Sequence, residues 1–248
     1  MIEQTTNSPW LIRFHPTQGA EARLVCLPHA GGSASYYFPM SRALTPRADV
    51  IAVQYPGRQD RRAEPCITDV GELADAIAAE LKGHLDLPLV LFGHSFGAML
   101  AFEVARRLEQ DGHTGPLHVV ASGRRAPSTH REESVHTRDD DGVIAEMRLL
   151  SGTDARLLAD EELMRMALPA IRGDYTAVET YRAEPGASTR APITVLTGDA
   201  DPRTSATEAA AWQDHTSGGF ALHTFPGGHF FLGDHADDVV RIVAGCLG

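Results

Sequence analysis

Short runs of hydrophobic residues alternate along the chain with segments whose apolar positions repeat at helical spacing. This alternation is typical of a mostly parallel sheet that is covered by helices on both faces. The predicted strands are Arg23–Leu27, Asp49–Gln54, Pro88–Phe92, Leu117–Ala121, Ile193–Thr197 and Phe220–Phe225, with Trp10–Phe14 as a further edge strand. We therefore expect an α/β fold with three layers.

The helical segments carry recognisable start and stop signals. One helix is predicted from the spacing of Val70, Leu73, Ile77 and Leu81, and it begins with a capping box formed by Asp69 and Glu72. A second helix follows Ser95 and runs to about Gln110, where Gly112 is expected to act as its C-terminal cap. A last helix is predicted from about Asp237.

The alternation of predicted strands and helices is interrupted between about residues 124 and 190. This stretch begins with charged, loop-like sequence and continues with helical patterns near Gly142–Leu150 and Asp160–Tyr181. A segment of this length is too long for a plain connection between core strands. We expect residues 1–248 to form a single domain that carries a helical lid insertion at about 124–190.

Composition narrows the classes of function. With 22 basic and 33 acidic residues the net charge is −11, which argues against binding to nucleic acid or to an anionic membrane surface. The three cysteines form no C-x-x-C pair, so neither a disulfide framework nor a zinc site is expected. The first ten residues do not resemble a signal peptide, and the most apolar stretch, Leu87–Phe102, falls short of a membrane span. We expect a soluble cytoplasmic protein with no metal.

The strongest chemical motif is the G-x-S-x-G sequence of Gly93-His94-Ser95-Phe96-Gly97, which lies between a predicted strand and a predicted helix. A sharp strand-to-helix turn strains the backbone at the serine, and its neighbours two positions away must lack side chains. The turn lifts the hydroxyl of Ser95 above the carboxyl ends of the strands. The pattern predicts a nucleophilic serine; a plain glycine-serine turn is the bland alternative.

A serine nucleophile needs a base, and the base needs a carboxylate that orients it. The chain order serine, acid, histidine is available downstream. The strand Ile193–Thr197 runs into a turn that contains Asp199 and Asp201, and the last strand is followed by Gly227-Gly228-His229. His229 is the predicted base, whereas His29 and His94 are assigned to packing or to polar lining of the site.

A glycine-containing loop follows the first core strand, with the sequence Leu27-Pro28-His29-Ala30-Gly31-Gly32-Ser33. Its backbone N–H groups can turn inwards to form an oxyanion hole, in which the second donor is the residue after the nucleophile. Ala30 and Phe96 are the predicted donors, with Gly31 and Gly32 allowing the turn. A phosphate-binding loop is disfavoured because no G-K-[ST] sequence follows.

Taken together, the motifs LPHAGGS, QYPGR, LFGHSFGAMLAFE, TGDADP and PGGHFFL resemble the type II thioesterases, which are α/β-hydrolases of polyketide and nonribosomal-peptide synthesis. The likeness extends from about Leu24 to Leu247. It implies an α/β-hydrolase fold with a lid, and it implies that Ser95, Asp201 and His229 form the catalytic triad. The same likeness implies hydrolysis of acyl groups from the phosphopantetheine thiol of acyl or peptidyl carrier proteins, which clears aberrant or stalled units. No cofactor is expected beyond the phosphopantetheine that the substrate carries.

Three other functions remain open at this point. They are a general carboxylesterase or lipase, a chain-releasing thioesterase, and a non-catalytic receptor with a hydrolase fold. A chain-releasing thioesterase is disfavoured because such domains usually end a multidomain synthase, whereas this chain begins with its own Met1. A receptor is disfavoured because such proteins often lose a triad member.

Docking of a carrier protein poses an electrostatic problem, since carriers are typically acidic and this chain is acidic as well. A local basic patch would be needed near the entrance to the site. Two arginine clusters follow the carboxyl ends of predicted strands: Arg58, Arg61 and Arg62, and Arg124, Arg125 and Arg131. We name Arg58, Arg124 and Arg125 as docking candidates, against the alternative that these are solvated loop charges.

Overall fold

The computed structural model describes residues 8–113, 115–150 and 161–248. Its centre is a seven-stranded sheet. In chain order the strands are β1 (Leu11–Ile12), β2 (Ala22–Leu27), β3 (Ala48–Val53), β4 (Leu89–His94), β5 (His118–Ser122), β6 (Ile193–Gly198) and β7 (Phe220–Phe225). The spatial order is β1-β3-β2-β4-β5-β6-β7, and all pairs are parallel except β1 with β3. The predicted α/β-hydrolase fold with a mostly parallel sheet is confirmed, although β1 is shorter than the predicted edge strand.

Helices cover both faces of this sheet. They are α1 (Phe38–Leu44), α2 (Val70–Leu81), α3 (Phe96–Gln110), α4 (Asp140–Leu150), α5 (Glu161–Thr180), α6 (Ala206–Ala210) and α7 (Ala236–Gly245). The side chain of Asp69 accepts a hydrogen bond from the backbone N–H of Glu72, which is one of the two bonds of the predicted capping box. Gly112 has φ +82° just after α3, a conformation that glycine adopts without strain.

Two helices, α1 and α6, have no counterpart among the predicted elements. α1 has seven residues and α6 has five, so neither is long enough to produce a clear helical repeat of apolar positions. The predicted beginning of α5 near Asp160 lies outside the described residues.

Alternate residues of the strands face opposite layers. Val25 and Leu27 belong to a core with α2 and α3, whereas Leu24 and Cys26 belong to a second core with α1 and α7. The helices α4 and α5 follow β5 in the chain and share a third cluster, made of Val135, Val143, Ile144, Met147, Met164, Leu168 and Ile171. Full burial of β2, β3, β4 and β6 on both faces explains why these strands read as continuous apolar runs.

The central position of β4 determines where the site lies. β4 pairs with β2 and β5, so the residues that follow β2, β4 and β5 meet at one edge of the sheet. This edge, at the carboxyl ends of the strands, is where open α/β sheets bind their ligands.

Among the residues that the structure describes, no helix is both long and apolar enough to cross a membrane.

Candidate active site

Ser95 lies at the strained turn between β4 and α3. Its backbone has φ 54° and ψ −114°, a conformation that a residue with a side chain rarely adopts. A Cβ atom on Gly93 would lie 1.9 Å from the carbonyl oxygen of Gly97, and a Cβ atom on Gly97 would lie 1.9 Å from that of Leu27. The turn therefore needs glycine at both positions.

A chain of hydrogen bonds leads away from the Ser95 hydroxyl. The Nε2 atom of His229 lies 2.9 Å from Ser95 Oγ, and its Nδ1 atom lies 2.9 Å from Asp201 Oδ2. The side chains of His229 and Asp201 are 3% and 0% exposed, so water does not compete for their contact. The structure thus brings together a serine, an imidazole and a carboxylate in the arrangement that activates a serine.

The two acids of the turn after β6 have different partners. Asp201 also accepts a hydrogen bond from the backbone N–H of Arg203 at 2.8 Å, which orients its carboxylate towards His229. Asp199 is exposed, and its Oδ1 atom accepts a hydrogen bond from the backbone N–H of Gly227 at 2.9 Å. Asp199 therefore ties together the two turns that carry Asp201 and His229.

His94 lies against His229, and His29 in turn lies against His94. The ring centroids of His94 and His229 are 5.2 Å apart, and those of His29 and His94 are 6.1 Å apart. Burial lowers the pKa of His94 well below its usual value and lowers the pKa of His29 to about 3, and the nearby His229 adds to both effects. Both rings are therefore neutral, and it is His229 that lies within hydrogen-bond distance of both Ser95 Oγ and a carboxylate.

Ser122 is a supporting residue that the sequence analysis missed. Its carbonyl oxygen accepts a hydrogen bond from the Ser95 N–H at 2.7 Å, and its hydroxyl lies 2.9 Å from Nδ1 of His94. No short sequence pattern marks such a role, because the contact arises from the pairing of β4 with β5.

The loop after β2 lies beside Ser95, as the close approach of Gly97 to Leu27 requires. Gly31 has φ +73°, which supports the expectation that this loop needs glycine. The N–H of Gly31 donates to Oδ2 of Asp174 at 2.8 Å, and the N–H of Gly32 donates to the carbonyl of His29 at 2.9 Å. These two N–H groups therefore have partners, and Ala30 and Phe96 stay the predicted oxyanion donors.

Two of the three arginines named for docking lie inside the protein. Arg58 is 6% exposed and forms a two-pronged ion pair with Asp174, at 2.7 and 2.9 Å. Arg125 is 4% exposed and is paired with Glu133. The expectation that these two side chains meet a partner at the surface is wrong, because their charges are already used in buried pairs.

Arg124 behaves differently from its neighbour. Its guanidinium has no hydrogen-bond partner in the described part of the chain, and its Nε atom is fully buried. Burial and the adjacent Arg125 lower its pKa to about 10. Glu133, the nearest opposite charge, is already held by Arg125 and Arg203. Arg124 is therefore a cation near the end of β5 that forms no ion pair with the described residues.

No cluster of three or more histidine, cysteine, aspartate or glutamate side chains suited to a metal ion occurs within residues 8–113, 115–150 and 161–248. Cys26, Cys66 and Cys246 are free thiols.

Comparison with known proteins agrees with the resemblance seen in the sequence motifs. A family model of the thioesterase domain matches residues 22–246. A probable cadicidin biosynthesis thioesterase of Streptomyces griseus is 57% identical over 242 residues, which cover 98% of this chain and 67% of that protein. Thioesterase PikA5 of Streptomyces venezuelae is 51% identical over 236 residues, covering 95% of this chain and 84% of that protein.

One solved structure is similar to this chain in both sequence and fold over nearly its whole length. The type II thioesterase BorB from the borrelidin biosynthetic cluster superposes with a TM-score of 0.91 and 51% sequence identity. The match covers 96% of this chain and 98% of the BorB chain.

Proposed function

The chain belongs to the thioesterase family, and on that premise we propose how its site works and on what it acts. It is a type II thioesterase of the kind found in polyketide and nonribosomal-peptide pathways. We propose that Ser95, His229 and Asp201 are the catalytic residues, and that the substrate is an acyl group on the phosphopantetheine thiol of a carrier protein. The observation that carries the catalytic assignment is the unbroken hydrogen-bond chain from Ser95 through His229 to Asp201.

In the first half of the reaction Ser95 Oγ attacks the thioester carbonyl while Nε2 of His229 takes its proton. Asp201 stabilises the resulting imidazolium, and the neutral rings of His29 and His94 add no opposing positive charge. The N–H groups of Ala30 and Phe96 donate to the oxyanion as it forms. The tetrahedral intermediate then collapses, and His229 gives its proton to the departing thiolate.

In the second half water attacks the acyl-serine ester, with His229 again as the base. The oxyanion is held by the same two donors, and collapse releases the carboxylic acid and regenerates the Ser95 hydroxyl. A thioester is more electrophilic than an ordinary ester, so the site does not need to grip the acyl chain tightly. Weak discrimination between acyl chains suits an enzyme that clears aberrant or stalled units from several carriers.

The test compares wild type with Ser95→Ala on a butyryl carrier protein and on free p-nitrophenyl butyrate, following release of the carrier thiol and of nitrophenol. We expect the carrier substrate to be preferred in kcat/KM, and Ser95→Ala to lose at least about 10³-fold on both substrates. Preference for the free ester would point to a general esterase. Turnover retained by Ser95→Ala would refute the assignment of the nucleophile.

We further propose that Arg124 contacts the phosphate of the phosphopantetheine arm or an acidic group of the carrier. Its guanidinium lacks a partner among the described residues. It also belongs to a cluster in which four arginines, Arg124, Arg125, Arg138 and Arg203, outnumber two glutamates, Glu133 and Glu146. An excess of positive charge favours an anion, and arginine binds phosphate through several N–H donors.

A further inference from the structure

Helix α5 carries a carboxylate at a position where a core residue is expected. Leu168, Ile171, Asp174 and Ala177 follow each other at intervals of three and are all buried, with Asp174 only 1% exposed. Burying a charge is costly unless it is paired and hydrogen-bonded. The partners of Asp174 therefore indicate what it does.

Those partners belong to the glycine loop and to the segment after β3. Asp174 Oδ2 accepts a hydrogen bond from the N–H of Gly31 at 2.8 Å and another from Nη1 of Arg58 at 2.7 Å. Its Oδ1 atom accepts from Nη2 of Arg58 at 2.9 Å. One carboxylate thus holds both the loop and the arginine that lies behind the loop.

Arg58 extends this grip to the next peptide group. Its Nη1 atom also donates to the carbonyl of Gly32 at 3.3 Å, while its Nε and Nη2 atoms donate to the carbonyl of Pro56 at 3.2 and 3.1 Å. Burial alone would lower the pKa of Arg58, but Asp174 outweighs this effect and the pKa is raised. The guanidinium is therefore charged, and the pair is held at several points.

The same face of α5 also closes on Gly31 sterically. A Cβ atom at Gly31 would lie 2.4 Å from Cγ1 of Ile171, one helical turn before Asp174. Gly31 thus has its N–H bound by Asp174 and its Cα covered by Ile171. The loop has little freedom to turn its peptide groups away from this position.

We propose that Asp174 is a positioning residue for the oxyanion hole, and that it couples helix α5 to catalysis. By binding the N–H of Gly31 and anchoring Arg58 against Gly32, it fixes the peptide groups next to Ala30, whose own N–H then points to the developing oxyanion. This inference rests on the proposed function, because it assumes Ser95 chemistry with Ala30 as a donor. Its effect belongs to the chemical step and not to substrate binding, since the oxyanion develops only as Ser95 attacks and is absent from the bound substrate.

The test uses Asp174→Asn, which keeps the size of the side chain but removes the charge that holds Arg58. We expect kcat for a butyryl-pantetheine thioester to fall about 10- to 100-fold while KM stays within about threefold. The affinity for a butyl trifluoromethyl ketone, to which Ser95 adds to give an oxyanion, should fall by a similar factor. The affinity for the non-hydrolysable thioether analogue of butyryl-pantetheine, which has no carbonyl for Ser95 to attack, should not change.

Glu179→Gln is the matched control. Glu179 is a buried carboxylate on the same helix, and it accepts hydrogen bonds from the N–H groups of Val135 and His136 at 3.0 Å each. It contacts neither the glycine loop nor Arg58. We expect Glu179→Gln to lower the Tm as Asp174→Asn does, with kcat and ketone affinity close to those of wild type.

A second variant, Arg58→Lys, keeps a positive charge beside Asp174 but loses the two-pronged contact, and it serves if Asp174→Asn does not fold. We expect a smaller loss of kcat with the same selectivity for the ketone. Unchanged kcat and ketone affinity in the folded variants would overturn the proposal, as would equal losses of kcat in Glu179→Gln. If Ser95→Ala retained turnover, the proposed function itself would fail, which is a different outcome.

Discussion

At the scale of single residues, burial keeps two of three neighbouring imidazoles neutral. His29 and His94 are buried without a carboxylate partner, so their pKa values are lowered, to about 3 for His29. His229 lies in contact with Asp201 at 2.9 Å and with the Ser95 hydroxyl at the same distance. Because both of these rings are neutral, they place no positive charge beside His229, the imidazole that must become protonated during the reaction.

This arrangement makes stability depend on pH. Between the usual value of 6.5 and about 3, His29 binds a proton in the unfolded chain but not in the folded one. Unfolding therefore takes up protons, and stability falls as the pH drops below about 6.5, by about a factor of ten in the unfolding constant per pH unit for each such histidine. His29→Gln should reduce the pH dependence of the Tm between pH 7.5 and 5, measured by calorimetry.

Exposed His223 provides the control for this pH experiment. His223→Gln should leave the slope of Tm against pH as it is in wild type. If His29→Gln and His223→Gln gave the same slope, the buried ring would not be the source of the acid sensitivity.

The two aspartates of the turn after β6 are also separated by their contacts. Asp201→Asn should lower kcat by about 10³- to 10⁴-fold, since the imidazolium loses its counter-charge and His229 its preferred tautomer. Asp199→Asn should keep most of the rate, because an asparagine oxygen can still accept the N–H of Gly227. Steady-state kinetics on one acyl-pantetheine substrate compares the two variants, and a larger loss in Asp199→Asn would reverse the assignment.

At the scale of elements, the turn from β4 into α3 shows how sterics set the position of the nucleophile. The turn works only because backbone atoms approach where side chains would otherwise stand, at Gly93 and Gly97. Helix α3 then begins at Phe96, so its first N–H groups lie next to Ser95. The strain at Ser95 is held by the burial of β4 and α3 on both sides.

Gly97→Ala tests this element. The added Cβ atom would lie 1.9 Å from the Leu27 carbonyl oxygen, and relieving that overlap must move either α3 or the loop after β2. We expect a loss of about 3 kcal/mol or more in the free energy of unfolding, together with loss of activity.

The control for the turn is Gly83→Ala. A Cβ atom added at Gly83 would meet no other atom within 4 Å, so this substitution should leave both the unfolding midpoint in urea and the turnover close to wild type. A tolerated Gly97→Ala would mean that the turn can relax without disturbing Ser95.

At the scale of the whole molecule, net charge and local charge have opposite signs. The chain carries −11 overall, yet the cluster around Arg124 contains more arginine than glutamate. An acidic carrier would be repelled at long range and attracted only near this cluster. Salt screens such forces over about 8 Å at physiological ionic strength.

Arg124→Ala should therefore raise KM for a butyryl carrier protein about tenfold and leave a short acyl-pantetheine without phosphate nearly unaffected. Added salt should raise KM for the carrier substrate in wild type more than in the variant. Arg47→Ala is the control, since Arg47 is exposed and directly precedes β3, at the opposite edge of the sheet from the site. Equal losses on both substrates would show that Arg124 supports the fold or the triad instead.

The sequence by itself determined which segments form the strands of the sheet and where the strongest motif lies. Continuous apolar runs predicted the strands because both faces of a parallel sheet are buried, and strand, turn and helix around Ser95 are local features. The order of serine, acid and histidine could also be read directly along the chain. Short helices such as α1 escaped prediction because a helix of seven residues completes too few turns to show a period.

Only the tertiary structure decided which side chains meet across the fold. Arg58 and Asp174 are 116 residues apart, and no local pattern distinguishes an arginine that faces water from one whose partner arrives on a distant helix. Asp199 and Asp201 lie in one turn, and the direction of each carboxylate depends on where the turn before His229 is placed against it. Such contacts depend on how whole elements pack, whereas hydrophobic patterning acts between neighbours in the chain, and for this reason the pattern predicted the elements but not the pairs.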